Sequence, residues 1–266
     1  MNILFIGCGR MGGAMARAWT SDHRVLAHDP WAALPEGVEK IGDLAGADLP
    51  DDLVVILAVK PQAVETLRAM LTPLRDREPL FVSIMAGVPL AKLHELLGSE
   101  CRMVRTMPNT AAAIGRGITA AHASETATAD DRARVEALLR ALGESIWLDQ
   151  EREFDAVTAV SGSGPAYFFR FTEALAAAGA AEGLSPQQAM LLARATFAGA
   201  AALMESRSSQ LAALRAEVTS PGGTTEAGLA VMDSENGIDR LLEGVVQAAA
   251  TRSRQLAADE SVKQAS

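Results

Sequence analysis

The sequence predicts an α/β fold in two parts, with an α/β domain over residues 1–150 and an all-helical domain over residues 151–266. Short apolar runs alternate with helix-like stretches in the first part. After about residue 151 the strand-like runs disappear and alanine-rich stretches of helical spacing follow. A chain of 266 residues also exceeds the usual size of a single domain.

Short runs rich in Val, Ile and Leu are predicted as the strands of the first domain. They are residues 2–7, 24–29, 53–59, 80–85, 102–107, 117–123 and 145–149. Their apolar residues are nearly continuous rather than alternating with polar ones. This pattern indicates a parallel sheet that is covered on both faces.

Helical spacing marks the stretches between and after these strands. In the first domain we predict helices over 10–18, 61–74 and 130–143, where Pro61 suits a first turn and Gly143 suits a helix end. The second domain is predicted to consist of helices over 164–183, 186–206, 208–217, 224–232 and 238–257.

Charge and composition exclude several classes of function. The net charge is −9 and no basic block occurs, which argues against nucleic acid or an anionic membrane as a partner. No apolar run reaches the length of a bilayer-spanning helix. Cys8 and Cys101 lie far apart without a disulfide or metal-site pattern, so we expect a reduced, cytoplasmic chain without a metal.

The segment GCGRMG places Gly7, Gly9 and Gly12 between the first strand and the first helix. This spacing suits a tight turn, a close approach of the backbone to a pyrophosphate, and close packing of helix on strand. The N-terminus of the helix then offers N–H groups to the phosphates. We therefore predict a Rossmann-type dinucleotide-binding domain; the alternative is a purely structural glycine turn.

Asp29 ends the second predicted strand, 17 residues after Gly12, where a carboxylate accepts the ribose hydroxyls in such domains. A carboxylate there repels the extra phosphate of NADP. The following PWAAL contains no Arg or Lys to bind that phosphate, although Arg10 and His28 could do so. We therefore expect NADH to be favoured over NADPH. The alternative is that Asp29 only caps the turn.

Lys60 and Asn109 lie at the ends of later strands, and each can be interpreted in two ways. Lys60 follows a buried strand, and the carboxyl ends of such strands line the ligand crevice of open α/β sheets. It either contacts the cofactor or is an ordinary solvated lysine. Asn109 either orients a nicotinamide or substrate, or is an ordinary turn residue after Pro108.

The helical domain lacks the side chains that usually act as general bases. No His or Lys occurs between residues 151 and 262, whereas enzymes that oxidise hydroxyl groups need such a base. Reduction of a C=N bond can do without it, because solvent can protonate the imine. The missing base therefore favours an imine reductase.

The segment VTSPGGTTEAGL, residues 218–229, is a candidate substrate loop. It leads into a predicted helix, so the N–H groups of Gly223, Thr224 and Thr225 can converge on an anion. Ser220 or Thr224 can cap the helix, and another threonine hydroxyl can face the substrate. The alternative is an ordinary N-cap that follows a flexible loop.

Six motifs resemble those of pyrroline-5-carboxylate reductases and occur in the same order over nearly the whole chain. They are FIGCGRMGGAM, AVKPQ, MAGV, MPNT, AVSGSGPAYFF and VTSPGGTT. The last two are highly specific, while the glycine motif alone is not. The resemblance implies reduction of 1-pyrroline-5-carboxylate to L-proline with NAD(P)H, and an interlocked dimer built from the helical domain and often assembled into larger rings.

The resemblance also implies site residues. The cofactor would contact the backbone of the glycine motif and the later strand ends, which comprise Gly7, Cys8, Gly9, Arg10, Met11, Gly12, Ala58, Val59, Lys60, Ala86 and Gly87. Ser220, Gly223, Thr224 and Thr225 would surround the substrate. Thr225 matches the threonine regarded as the hydrogen-bond partner of the ring nitrogen, which makes it our catalytic residue.

Two features depart from the family or from our cofactor expectation. Ala111 stands where the family usually has proline, and many members use NADPH readily. Three other functions stay open at this point: a hydroxyacid dehydrogenase of the same two-domain build, a reductase of a cyclic imine acid with another ring size, and a non-catalytic nicotinamide sensor.

Overall fold

The structure is a computed structural model that describes residues 1–207 and 210–262, with side chains except at 75, 76 and 258–262. It divides into two compact units. The first contains Met1–Ser163 and the chain from Ala249 onward, and the second contains Gly164–Ala248. These limits differ from the expected domains 1–150 and 151–266, whose boundary stays a prediction.

The first unit is built on one mixed sheet. In the described part of the chain its strands are β1 Asn2–Ile6, β2 Arg24–His28, β3 Glu39–Lys40, β4 Leu53–Leu57, β5 Leu80–Ser83, β6 Met103–Pro108, β7 Gly117–Ala123 and β8 Gly143–Trp147. Their order across the sheet is β3-β2-β1-β4-β5-β6-β7-β8. Sequence analysis missed β3, which has two residues, both charged and exposed.

The sheet is mostly parallel, as predicted, but one strand pair is antiparallel. The strands from β3 to β6 are parallel neighbours, but β7 pairs antiparallel with β6, and β8 pairs parallel with β7. The connection between Pro108 and Gly117 is a short 3₁₀ segment, Thr110–Ile114. A parallel crossover needs a dozen residues or more, so this short connection forces the chain to reverse.

The helices of the described first unit are α1 Arg10–Trp19, α2 Thr66–Leu71, α3 Leu90–Leu97, α4 Ala129–Leu139 and α5 Phe154–Val157. The single helix predicted over 61–74 is wrong. A 3₁₀ turn spans Pro61–Ala63, α2 ends at Leu71, and a second 3₁₀ segment follows. Pro73 contributes to this ending, because proline has no N–H to donate to a carbonyl of the preceding helical turn, although Thr72 itself keeps helical backbone angles. Sequence analysis did not predict α3.

Two apolar layers cover the sheet, as predicted. Ile3 and Phe5 face the layer that contains helices α1 and α4, while Leu4 and Ile6 face the layer with α2 and α3. This alternation follows from the two-residue period of a strand. On the first face, the indole of Trp19 in α1 donates to the Leu138 carbonyl at 2.9 Å and thereby links α1 to α4.

The second unit consists of helices: α6 Gly164–Ala181, α7 Pro186–Ser206, α8 Leu211–Glu217, α9 Thr224–Met232 and the first part of α10 Ile238–Val262. Residues 208 and 209 of the helix predicted over 208–217 lie outside the described residues. Helices α6 and α7 pack through small side chains, with Ala176, Ala189 and Ala193 buried between them. Among the residues described, no helix has both the length and the apolar character that a bilayer crossing requires.

Candidate functional site

The glycine turn after β1 has the backbone geometry that a dinucleotide requires. Gly7 adopts φ +86°, and a Cβ built on it would lie 2.8 Å from the Ala58 carbonyl oxygen. A Cβ on Gly9 would meet nothing within 4 Å, so the space above this residue is open. On Gly12 it would lie 3.1 Å from the Ala58 Cβ, which shows how closely α1 packs against the neighbouring strand end.

A crevice of about 540 Å³ lies at the carboxyl ends of β1, β2 and β4, and we call it the main crevice. Its lining includes Gly7, Gly9, Asp29, Trp31, Ala58, Val59 and Lys60. The N-terminus of α1 begins beside it, and the first N–H groups of a helix have no acceptor within the helix. This arrangement suits an anionic group over the turn.

Asp29 is held by the backbone around it. Its Oδ2 accepts from the Cys8 N–H at 2.6 Å, and its Oδ1 accepts from the N–H groups of Trp31 and Ala32 at 2.8 and 2.9 Å. Partial burial raises the pKa of Asp29, but these three hydrogen bonds lower it by more, so the net pKa lies below its ordinary value. Asp29 is therefore ionised at neutral pH and also caps the turn.

His28 and Cys8 are the two neighbours of Asp29 that could carry chemistry. The Nδ1 atom of His28 lies 3.1 Å from the Ile41 carbonyl oxygen and donates to it, so only Nε2 is left for a ligand. The Cys8 thiol is buried, and burial together with the charge of Asp29 raises its pKa. This thiol is therefore protonated and unreactive at neutral pH.

Trp31 was not predicted as a site residue. In the sequence, the segment PWAAL was considered only for Arg or Lys side chains that could bind a phosphate. The Trp31 side chain is 93% exposed, although its backbone is fixed by the hydrogen bond to Asp29. It lines the main crevice. A large aromatic side chain so exposed at a ligand crevice is suited to stack on a planar group. The only sequence signal was a tryptophan two residues after the acid.

A second crevice of about 270 Å³ adjoins Pro61, the neighbour of Lys60 in the chain. Ala86 and Gly87 line it, together with Thr158 and Ser163 from the AVSGSGPAYFF motif and part of α10, including Ser253. Residues Thr158–Gly162 form a π-helix, a rare conformation that is frequent at functional sites. Sequence analysis could not find the contribution of α10, because it comes from a distant part of the chain.

Four predicted cofactor residues line neither crevice with their side chains. Cys8 is buried, Arg10 is exposed at the start of α1, and Met11 packs against the core. The Asn109 Oδ1 accepts from the Ile118 N–H at 3.4 Å, within its own hairpin. This hydrogen bond favours the turn reading of Asn109, while the other three residues can act through their backbones.

The predicted substrate loop belongs to the second unit. Gly222 has φ +70° and its N–H donates to Glu226 Oε2 at 2.7 Å, while the Gly223 N–H donates to the Ser220 carbonyl at 3.0 Å. In this described segment, the amides of Thr224 and Thr225 at the start of α9 have no acceptor. The prediction that Ser220 or Thr224 caps α9 is wrong: Gly223 is the N-cap residue, without a side-chain cap.

No group of three or more His, Cys, Asp or Glu side chains that could hold a metal ion occurs in the described ranges. Cys8 and Cys101 both remain thiols in the structure.

Comparisons with known proteins cover both halves of the chain. Residues 151–256 match the family model described as pyrroline-5-carboxylate reductase dimerisation. Residues 2–87 match the model described as NADP oxidoreductase coenzyme F420-dependent. A curated relative from Pseudomonas aeruginosa, named pyrroline-5-carboxylate reductase, is 39% identical, with 96% of each chain covered. A relative of the same name from Pisum sativum is 37% identical, with 95% of this chain and 94% of the relative covered.

Two solved structures extend this similarity to the fold. A pyrroline-5-carboxylate reductase from Coxiella burnetii has a TM-score of 0.85 and 34% identity, covering 96% of this chain and 98% of its own. The Plasmodium falciparum pyrroline carboxylate reductase, solved with NADP bound, has a TM-score of 0.82 and 26% identity. The match covers 97% of this chain and 98% of that structure's chain.

The fold and the main crevice together define an oxidoreductase with an N-terminal Rossmann-type domain and a helical C-terminal domain. Its relatives narrow this class to one family. The chain belongs to the pyrroline-5-carboxylate reductase family.

Proposed function

We propose that the chain reduces 1-pyrroline-5-carboxylate to L-proline, the last step of proline biosynthesis, as an NAD(P)H-dependent enzyme. The observation that carries this proposal is the 39% identity to the Pseudomonas aeruginosa reductase over 96% of both chains. The six motifs named above all occur in this one chain, which supports the same proposal.

The residues of the main crevice fit a nicotinamide dinucleotide. Gly7 leaves no room for a Cβ, Gly9 leaves open space above the turn, and the helix N-terminus presents amides to that space. When bound, the cofactor supplies a hydride to the imine carbon of the substrate. Ala58, Val59 and Lys60 would hold its middle part, and Ala86 and Gly87 its nicotinamide end.

The substrate is proposed to bind at the loop that precedes α9. The amides of Thr224 and Thr225 hold the substrate carboxylate, and the hydroxyl of Thr225 orients the ring nitrogen. Ser220 and Gly223 shape the turn, since a Cβ on Gly223 would lie 2.5 Å from the Ser220 Oγ. Orientation of two reactants in this way is worth about 7–11 kcal/mol in favourable cases.

The proposed reaction is tested by steady-state oxidation of NADH and NADPH, in parallel, with pyrroline-5-carboxylate as substrate. Serine-like and hydroxybutyrate-like substrates serve as controls for a hydroxyacid dehydrogenase, and a piperideine carboxylate serves for ring size. We expect turnover with the five-membered imine acid and none with the hydroxyacids. Cofactor binding without turnover of any imine would instead identify a non-catalytic sensor.

We propose that NADH is preferred over NADPH, because the ionised Asp29 faces the crevice where a 2′-phosphate would lie. Asp29→Asn removes the charge, so it should lower the NADH-to-NADPH ratio of kcat/KM by about tenfold. This corresponds to about 1.4 kcal/mol, between the roughly 1 kcal/mol of a charge pair in bulk water and the roughly 4 kcal/mol of one near a protein surface. Steady-state kinetics with both cofactors measure this ratio.

The control for this variant is Asp43→Asn. Asp43 also accepts a hydrogen bond from the backbone two residues later, from the Ala45 N–H at 3.0 Å, but it does not line the main crevice. Asp43→Asn should leave the ratio unchanged. A wild-type enzyme that prefers NADPH, or an Asp29→Asn ratio equal to wild type, would reduce Asp29 to a turn cap.

We also propose that the exposed indole of Trp31 stacks on the adenine ring. Stacking of a base on an aromatic side chain is worth about 1–3 kcal/mol, so Trp31→Ala should raise the Kd of ADP-ribose roughly 5- to 100-fold. Tryptophan fluorescence gives a second readout, since ADP-ribose should quench emission in wild type and in Trp147→Phe but not in Trp31→Phe. Equal quenching in the three proteins would exclude the stack.

The chain is proposed to work as a homo-oligomer in the cytoplasm. Phe168, Phe169 and Leu191 of the second unit are 55%, 67% and 69% exposed, more than a single chain would leave open to water. The match to a dimerisation model over 151–256 indicates that another copy covers such side chains. The two thiols fit a reducing compartment.

A further inference from the structure

Arg105 and Glu151 form an ion pair within the first unit that no predicted role accounts for. The Arg105 Nη1 lies 2.8 Å from Glu151 Oε1, and the two side chains are 11% and 25% exposed. The guanidinium carbon also lies 4.4 Å from the centroid of the Phe154 ring. The pair is therefore mostly shielded from water and fixed on two sides, which distinguishes it from an exposed surface ion pair.

Glu151 makes a second contact that reaches the cofactor loop, which we define as residues 84–89. Its Oε1 accepts from the Leu90 N–H at 2.7 Å, at the first residue of α3. Pro89 precedes α3 and gives it no side-chain cap. A carboxylate at this helix end satisfies an amide that would otherwise lack a partner, and it interacts favourably with the helix dipole.

The cofactor loop is thereby held at both ends. At its start, the Ser83 carbonyl accepts from Thr106 Oγ1 at 3.1 Å, and Ser83 Oγ accepts from the Met85 N–H at 3.3 Å. At its end, Glu151 holds Leu90. Between these two anchors lies Gly87, with φ +78°, which lines the second crevice. The position of the Gly87 backbone therefore depends on both anchors.

We propose that Arg105 and Glu151 are positioning residues for the nicotinamide end of the cofactor. They fix the outer end of the cofactor loop to β6, so that Ala86 and Gly87 are in place before the cofactor binds. This inference rests on the proposed function, because it assumes that the nicotinamide lies at the second crevice. It assigns no direct contact with cofactor or substrate to either side chain.

The residue just before β6 provides a matched control pair. Arg102, just before β6, places its Nη1 2.7 Å from Oδ1 of Asp131, which is fully buried. It also donates to the Glu78 carbonyl at 2.6 Å. This pair joins strand, helix and loop in the same way, but at the amino end of β6, and none of its residues lines either crevice. Removing the Arg102–Asp131 ion pair should therefore lower the stability of the fold and leave the position of the cofactor loop unchanged.

The test compares binding of NAD⁺ with binding of ADP-ribose, which lacks the nicotinamide. Glu151→Ala should raise the Kd of NAD⁺ about tenfold, the effect of one charge-assisted hydrogen bond, while the Kd of ADP-ribose stays within about twofold. Glu151→Gln keeps an acceptor for Leu90 and should recover part of the loss. Arg105→Met should not add to the effect of Glu151→Ala in the double variant.

Hydrogen exchange supplies a second readout. The amides of residues 84–88 and of Leu90 should exchange faster in Glu151→Ala, whereas Pro89 has no N–H to report. In Arg102→Ala their exchange should be unchanged, and only the midpoint of thermal unfolding should fall. Equal losses for NAD⁺ and ADP-ribose, or no loss for either, would overturn the proposal. If Glu151→Ala does not fold, the Kd values of NAD⁺ and ADP-ribose are compared in Glu151→Gln instead, and the same outcomes test the proposal. These measurements need no imine substrate, so they are independent of whether the chain turns over pyrroline-5-carboxylate.

Discussion

Thr225→Val is expected to lower kcat for pyrroline-5-carboxylate by roughly 10- to 1000-fold, as expected when one transition-state hydrogen bond is removed. Valine has the shape of threonine without the hydroxyl, so it removes the proposed hydrogen bond to the ring nitrogen and little else. Thr225 is exposed at the start of α9, so the substitution leaves the core unchanged. The effect is measured by steady-state kinetics with saturating cofactor.

Thr219→Val is the matched control in the same loop. The Thr219 hydroxyl donates to the Arg215 carbonyl at 2.6 Å, at the end of the preceding helix, so it is already used in the fold. Its loss should leave kcat within about twofold, since surface changes of this kind usually cost less than about 0.5 kcal/mol. Wild-type turnover in Thr225→Val would remove this hydroxyl from the mechanism.

Gly7→Ala is expected to impair both folding and cofactor binding. Alanine at φ +86° is strained, and its Cβ would lie 2.8 Å from the Ala58 carbonyl oxygen, so the turn must shift. The strain should lower the free energy of unfolding by about 1–3 kcal/mol. Because the turn shifts, its backbone amides should lose one or two of the proposed hydrogen bonds to the cofactor phosphates. This loss should raise the Kd of NAD⁺ by about 10- to 100-fold or more.

Gly9→Ala separates the two effects. A Cβ on Gly9 meets no protein atom within 4 Å and the backbone there is extended, so stability should be unchanged. The methyl group would nevertheless occupy the open space above the turn, so cofactor affinity should fall. Gly42→Ala, whose Cβ also meets nothing, should change neither property. Denaturant unfolding and calorimetric titration measure both, and full affinity in Gly9→Ala would place the pyrophosphate elsewhere.

Features that depend on neighbouring residues could be predicted from the sequence. The glycine turn lies where its spacing indicates. The predicted strands of the first unit are all present, the one over 117–123 with the predicted bounds and the others with shifted ends. The antiparallel step from β6 to β7 was missed, although the short connection between Pro108 and Gly117 was readable in principle. Pro73 likewise marked the end of α2.

Features that depend on distant residues could not be predicted. Arg105 and Glu151 are 46 residues apart, and the expected boundary at 150 even assigned them to different domains. Ser253 approaches Asp155 within 2.7 Å across 98 residues of sequence. Local patterns report which face a residue occupies on its own element, but not which element packs against that face. The sequence also could not show whether Asp29 binds the ribose hydroxyls or only caps the turn.

The hydrogen bonds of the Asp29 turn restrict which side chains can replace Asp29, and with it the proposed preference for NADH. Its carboxylate accepts from three amides, so a direct change to arginine or lysine would introduce a phosphate ligand and leave those amides without acceptors. Serine or asparagine preserves some acceptors and removes the negative charge. A lineage, or an engineer, changing specificity here therefore has to pass through these small polar residues before adding a cation nearby.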